Sequence, residues 1–287
     1  MREAWEVAGR PLMQAARDYL YWLSGYTVRR GTLAGGNAEI VANNWEAPDG
    51  LDVGGGRVYW VTTDQTGGML ESANLDGTDR RTLVMEENRV GDVAVDAKHG
   101  KVYWTSLPDS PRSTFEEGTW DGGIRCADLD GSNVETLIEY PSGSEAYADR
   151  IVVEPETELL VWSEVGDGYE GRIQRALLSP FRPFALDFVT GAGWPRGMTL
   201  DTVPGVGANN LYYTTSDELR RVGLYWYGSE STVLTGLNDP AGVAVDPIGY
   251  YLYIGTPDGI LRAVTDGTNL ETLFPAEREV GSIVLPR

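Results

Sequence analysis

Short apolar runs recur along the chain, and six of them carry an aromatic pair or its remnant: Tyr21-Trp22-Leu23-Ser24, Tyr59-Trp60-Val61-Thr62, Tyr103-Trp104-Thr105-Ser106, Val161-Trp162-Ser163-Glu164, Tyr212-Tyr213-Thr214-Thr215 and Tyr253-Ile254-Gly255-Thr256. The spacing between successive copies is 38, 44, 58, 51 and 41 residues, which suits one four-stranded unit per copy with loops of variable length. A second apolar run precedes each later copy: Gly50-Leu51-Asp52-Val53, Asp92 to Asp96, Ile151 to Glu154, Gly197 to Asp201 and Gly242 to Asp246. These runs are apolar at nearly every position, as a strand covered on both faces requires. A third strand, a tight turn and a more polar fourth strand follow. The turns read Leu75-Asp76-Gly77-Thr78, Leu129-Asp130-Gly131-Ser132 and Thr265-Asp266-Gly267-Thr268. Asp-Gly is expected to supply positive φ to a two-residue hairpin here, and blades four and five replace it with Leu178-Ser179-Pro180 and Tyr227-Gly228-Ser229.

The pattern predicts an all-β, six-bladed β-propeller of four-stranded blades, with residues 1–18 as an N-terminal extension and 19–287 as the propeller. The first copy has no apolar run upstream of Tyr21, and Val280 to Pro286 matches the missing piece. This C-terminal strand is expected to complete blade one and remove the last open sheet edge.

Composition narrows the function classes. Hydrophobic residues make up 41% of the 287, with nine Trp and fifteen Tyr, enough to fill a large core. A formal net charge of -20 sets a repulsive field against phosphate backbones and anionic lipid, so neither nucleic acid nor membrane is expected as a partner. Cys126 is the single cysteine, so no disulfide forms within the chain. The stretch through Asp18 carries Arg2, Glu3, Glu6, Arg10 and Arg17 in place of an apolar leader core, which reads as a cytoplasmic chain. His99 is the single histidine and falls in a turn remote from the expected site. His-based triads are thereby disfavoured, and no Gly-rich phosphate loop opens a helix.

The aromatic pairs, the Asp-ended inner strands and the Leu-Asp-Gly turns together resemble the YWTD family, the class B repeats of the low-density lipoprotein receptor, over roughly residues 19–287. The final Asp of that motif is missing directly after most pairs. The resemblance implies a six-bladed propeller and, as in receptors, a face that binds a peptide or partner domain. The chain is also similar in type to stand-alone propellers of fungal natural-product pathways, hetero-Diels-Alderases among them, which implies a cofactor-free cyclase for a small apolar or aromatic molecule.

Chemistry in a propeller sits around the channel mouth, on the loops leading into the inner strands. Those loops bring forward Trp45, Tyr147, Trp194, Arg150, Arg196, Arg278, Asp92, Asn238 and Asp239. The long loop 107–123 adds Trp120 and has the length of a lid. For a cycloaddition, Arg150, Arg196 and Tyr147 would be donors to a developing carbonyl charge, and Trp45, Trp120 and Trp194 the apolar walls. The other reading is structural: the tryptophans fill gaps between blades and the Arg and Asp residues form an ion-pair ring. A lactonase-type metal site from Glu46, Asp92, Asn238 and Asp239 is a further alternative, without a spacing signature of its own. No cofactor is called for.

Overall fold

Among the described residues of the computed structural model, twenty-four strands form six separate four-stranded antiparallel sheets. The structure describes residues 18–286 apart from 37, 87, 108–121, 141–145, 166–170, 180–183, 204, 226–229 and 276. All of the extension but Asp18, most of the 107–123 loop with Trp120, and the replaced turns of blades four and five from Pro180 and Tyr227 onwards thus lie largely outside the described residues. Blade 1 combines β24 (Val280–Val284) with β1 (Tyr19–Ser24), β2 (Thr27–Thr32) and β3 (Glu39–Asn43). Blade 2 holds β4 (Pro48–Gly54) to β7 (Arg81–Glu86), and blade 3 holds β8 (Arg89–Asp96) to β11 (Glu135–Glu139). Blade 4 runs from β12 (Tyr147–Glu154) to β15 (Leu186–Val189), blade 5 from β16 (Met198–Leu200) to β19 (Ser231–Leu234), and blade 6 from β20 (Gly242–Asp246) to β23 (Glu271–Phe274). The pairing of Tyr21 with Val284 and Trp22 with Ile283 closes blade 1 with the C-terminal strand. No helix among the described residues is long and apolar enough to cross a membrane.

The aromatic pair is explained by the strand period of two. Adjacent residues point to opposite faces of a blade, so one member of each pair enters the gap to the following blade and the other the gap to the preceding one. Tyr21 packs with Trp60 between blades 1 and 2, Tyr59 with Trp104 between blades 2 and 3, and Tyr103 with Trp162 between blades 3 and 4. The series continues with Val161 and Tyr213, Tyr212 and Ile254, and finally Tyr253 and Trp22, which closes the circle. The core is therefore six inter-blade cores. Burying an indole also buries its N–H, which calls for an acceptor; of the four fully buried tryptophans among the described residues, all but Trp104 have one. Trp22 donates to Glu277 at 3.0 Å, Trp60 to Glu71 at 3.2 Å and to Asn44 at 3.1 Å, and Trp162 to the Tyr140 hydroxyl at 3.1 Å. The Tyr213 hydroxyl is held by Glu230 in the same way. Arg29 and Arg80 neutralise Glu277 and Glu71 at 3.0 and 2.8 Å.

The Asp-Gly turns differ in one respect from the sequence reading. Asn74 N–H donates to the Thr78 carbonyl and Gly77 N–H to the Asn74 carbonyl, both at 2.8 Å, which makes a three-residue loop in which Gly77 and not Asp76 has positive φ. The 128–132 and 264–268 turns repeat this bonding. Asp76, Asp130 and Asp266 each accept from the hydroxyl two residues on at 2.6 Å, and these bonds hold all three carboxyls below their ordinary range. A Cβ on Gly77, Gly131 or Gly267 would strike the carbonyl of Val41, Leu83 or Val233 on the outer strand of the preceding blade. The turn is thus a clasp between blades. Blade 1 has a relative of it that the sequence reading passes over, Leu33-Ala34-Gly35, closed by Gly35 N–H on the Thr32 carbonyl at 2.9 Å.

Candidate functional site

Loops leading into the inner strands and those joining second to third strands share one face of an antiparallel blade ring; that face is the channel mouth. Inner strand β24 carries a bulge between Val280 and Ile283, and three adjacent inner strands carry bulges just inside the mouth, at Pro48 to Gly50 in β4, Val90 to Val93 in β8 and Ala148 to Ile151 in β12. Bulges re-aim side chains and interrupt pairing. Here they place Asp49, Asp92, Asp149 and Arg150 around the same point.

Arg150 is the centre of this group. It is half-buried, its Nη1 donates to the Asp49 backbone carbonyl at 3.1 Å, and its Nε lies 3.8 Å from Asp149. Trp194 Nε1 donates to the other side of the cluster, to Asp149 Oδ2 at 2.9 Å. Asp92 is 8% exposed and spans two blades: its oxygens accept Val93 N–H at 2.9 Å and Ile151 N–H at 3.0 Å. Burial pushes its carboxyl up to about 7, against the pull of Arg150 and the two backbone donors. Arg150 itself is held above its ordinary value, the charges of Asp149, Asp92 and Asp49 outweighing the penalty of burial.

Asp49, Asp149, Arg150 and Trp194 line a pocket of about 330 Å³ together with Arg89, Gly91, Leu107 and Tyr147. Of the expected site residues, Arg150, Tyr147 and Trp194 therefore meet in one place, with Asp92 beneath them. Others stand apart. Arg196 is ion-paired with Asp239, Asn238 donates to Asp258 at 2.7 Å, and Arg278 lies 3.6 Å from Asp258. Trp45 is 97% exposed. Sequence reasoning did not single out Asp49, Arg89 and Asp149, because the bulges that bring them together leave no residue signature.

Among the described residues no group of three or more His, Cys, Asp or Glu side chains is arranged to hold a metal ion. Asp92 is turned between strands, while Asn238 and Asp239 are engaged with Asp258 and Arg196. His99 is more than a solvated turn residue: its Nδ1 sits 2.7 Å from Asp96 Oδ2. Cys126 is buried on β10 (Gly123–Asp128), where burial raises its thiol and keeps it unreactive.

Behind the mouth, the channel narrows to a ring of equivalent residues, each just ahead of the partner of the second aromatic position: Gly50, Asp92, Arg150, Gly197, Gly242 and Ser282. Glycine recurs because inner strands touch at this level; a Cβ on Gly50 would lie 2.5 Å from Asp92 Cα, and one on Gly197 2.7 Å from Gly242 Cα. Only blades 3 and 4 place long side chains in the ring. A cavity of about 300 Å³ runs along the channel, with most of its wall from blades 5, 6 and 1.

No protein-family model matches the chain. It is 26% identical over 269 residues to a low-density lipoprotein receptor-related protein 1 of Pyricularia oryzae, covering 80% of this chain and 82% of the relative. A 75-residue stretch is 37% identical to mouse low-density lipoprotein receptor-related protein 5, covering 25% of this chain and 4% of the relative. Among solved structures, the nidogen/laminin complex includes a chain superposing with a TM-score of 0.72 at 16% identity, over 93% of this chain and 97% of that one. TolB of Acinetobacter baumannii follows at 0.71 and 13%, over 94% and 66%. With six blades, an aromatic pair split between neighbouring blades and receptor-related relatives, the chain is a six-bladed β-propeller similar to the YWTD type.

Proposed function

We propose that the channel mouth recognises a segment of a partner protein. The observation that carries this reading is the state of the mouth's charged groups: Arg196 is tied to Asp239, Trp194 to Asp149, and Arg150 is held among Asp49, Asp92 and Asp149. A fixed frame of paired charges around an open pocket reads the shape and polarity of an extended chain, and Trp194 and Tyr147 are the aromatic anchors on which such interfaces concentrate their energy. The relatives named for a lipoprotein receptor, and the nidogen chain crystallised with laminin, support the same use of the fold. Peptide libraries displayed on phage test it. Selection on the intact protein should yield a consensus whose affinity drops about thirtyfold or more in Trp194→Ala; absence of a consensus, or equal binding to the variant, would overturn the reading.

A second reading keeps the pocket for a small apolar or aromatic molecule, with a cofactor-free cyclisation as its sharpest form. Its support is that, among the described residues, Arg150 makes one hydrogen bond from a guanidinium with five N–H donors, beside the apolar surfaces of Leu107, Tyr147 and Trp194. Arg150 and Tyr147 would donate to a developing carbonyl charge, whereas Arg196 would first have to leave Asp239. Turnover of a candidate polyene that fell a hundredfold or more in Arg150→Ala, with binding nearly kept, would select this reading over the first.

A further inference from the structure

Four inner strands end in a carboxylate that caps the turn on the face opposite the mouth, and three of the four use both oxygens. Asp96 accepts His99 N–H at 3.0 Å through Oδ1, and its Oδ2 is 2.7 Å from His99 Nδ1. Glu154 accepts Glu156 N–H at 3.2 Å through one oxygen and the Thr157 hydroxyl at 2.6 Å through the other. Asp201 accepts Asn210 N–H and Asn210 Nδ2, both at 2.7 Å, on its two oxygens. Asp246 differs. Its Oδ1 accepts Ile248 N–H at 3.0 Å and Gly249 N–H at 2.9 Å, and its Oδ2 has no hydrogen-bond donor among the described residues. Of these four carboxylates, Asp246 alone lines the channel cavity.

The cavity is graded in charge. Its arginines, Arg150 and Arg196, stand at the mouth end beside Asp92, the two oxygens of buried Asp52 are taken up by Val53 N–H and Val95 N–H at 2.8 Å each, and Asp246 and Asp18 flank the opposite end. Between them the wall is largely apolar, with Met198, Leu200, Val243 and Ile283 as examples, and Ile248 is 62% exposed at the far rim. A volume of about 300 Å³ matches a small-molecule pocket with an apolar wall and few polar groups. The net charge of -20 adds an attraction for cations.

We propose that the channel is a second binding site, open on the turn face, for a small organic cation: a protonated amine on an apolar body of about two fused rings. The ammonium donates to Asp246 Oδ2 at the rim and the body lies along blades 5, 6 and 1. The ammonium end lies on the face opposite the partner segment, and Asp92, Arg150 and Arg196 are shared with the mouth. No bond is made or broken.

Naphthylmethylamine, naphthylmethanol and naphthoate share one body and differ in the polar group. Titrated into the full chain by calorimetry, with chemical shifts to locate each, the amine should bind at least about tenfold more tightly than the alcohol, and the acid should not bind. Asp246→Asn keeps an oxygen for the turn N–H groups and should bring the amine down to the affinity of the alcohol. Ile248→Arg, at an exposed position that does not test folding, should weaken the amine several-fold and leave the alcohol nearly unchanged. Trp194→Ala should leave amine binding intact. Equal affinities for amine and acid, an unchanged affinity in both Asp246→Asn and Ile248→Arg, or shifts mapping to Trp194 and Tyr147 would overturn the proposal.

Discussion

Asp92 shows how one residue can serve the frame and burden it. Its carboxylate joins blade 3 to blade 4 through Val93 and Ile151 N–H, yet it is buried beside Asp149 with Arg150 as its cationic neighbour, and burial raises its pKa to about 7. In the unfolded chain an Asp titrates near ~3.9. Between about 4 and 7 the folded state therefore holds a proton that the unfolded state has lost, so the contribution of Asp92 to stability falls as pH rises through this window and levels off above it. Going from pH 7.5 to pH 5 should stabilise the native protein by about 1–3 kcal/mol more than the Asp92→Asn variant, which has no charge to bury. Denaturant melts at a series of pH values provide the comparison; parallel profiles would mean that Asp92 titrates like an exposed carboxyl.

The same distinction between frame and site separates what could be read from the sequence. The aromatic pairs were legible because each pair is local and its two members are forced to opposite blade faces by strand geometry alone. The Asp-Gly clasps were legible for a similar reason, although the loop proved to be three residues long, and the blade 1 clasp escaped notice because Ala34 stands where Asp stands elsewhere. Arg150 was legible as a candidate, but its surroundings were not. Asp49 lies 101 residues away in blade 2, and what brings it near is a pair of bulges with no residue signature of their own. Closure of the ring was legible, since a missing strand at one end matched a surplus one at the other. It also makes the sharpest element-scale prediction. Removing residues 280–287 takes away the inner strand of blade 1, with buried Val280 and Ile283, and uncovers Trp22 and the free edge of β1. Each buried aliphatic side chain contributes about 1.5–3 kcal/mol. The truncated chain should melt about 10 °C or more below the intact one; calorimetry showing an unchanged Tm would mean that the ring does not depend on this strand.

At the scale of the whole molecule, the excess of acid shapes what can approach. The 43 Asp and Glu outnumber the 23 Lys and Arg, and many of the arginines are already committed: Arg30 to Glu39, Arg57 to Asp79, Arg80 to Glu71, Arg220 to Glu230 and Arg262 to Glu271. Apart from Arg80–Glu71, whose carboxylate is buried, such surface pairs add little stability one by one, and they leave the surplus carboxylates as an unneutralised long-range field. A field of this kind acts on encounter more than on residence, because it falls off over a Debye length while the contacts at the mouth do not. Mouth-binding peptides made in matched forms, with and without two lysines added outside their consensus, separate the two effects. In 50 mM salt the lysine form should associate several-fold faster than its twin, the difference should shrink to within about twofold in 500 mM salt, and the dissociation rates should stay close throughout. Stopped-flow anisotropy of fluorescently labelled peptides follows both steps. A rate difference that survived high salt would place the added lysines in direct contact with the rim, and one absent at low salt would mean that the surface arginines had already cancelled the field where partners arrive.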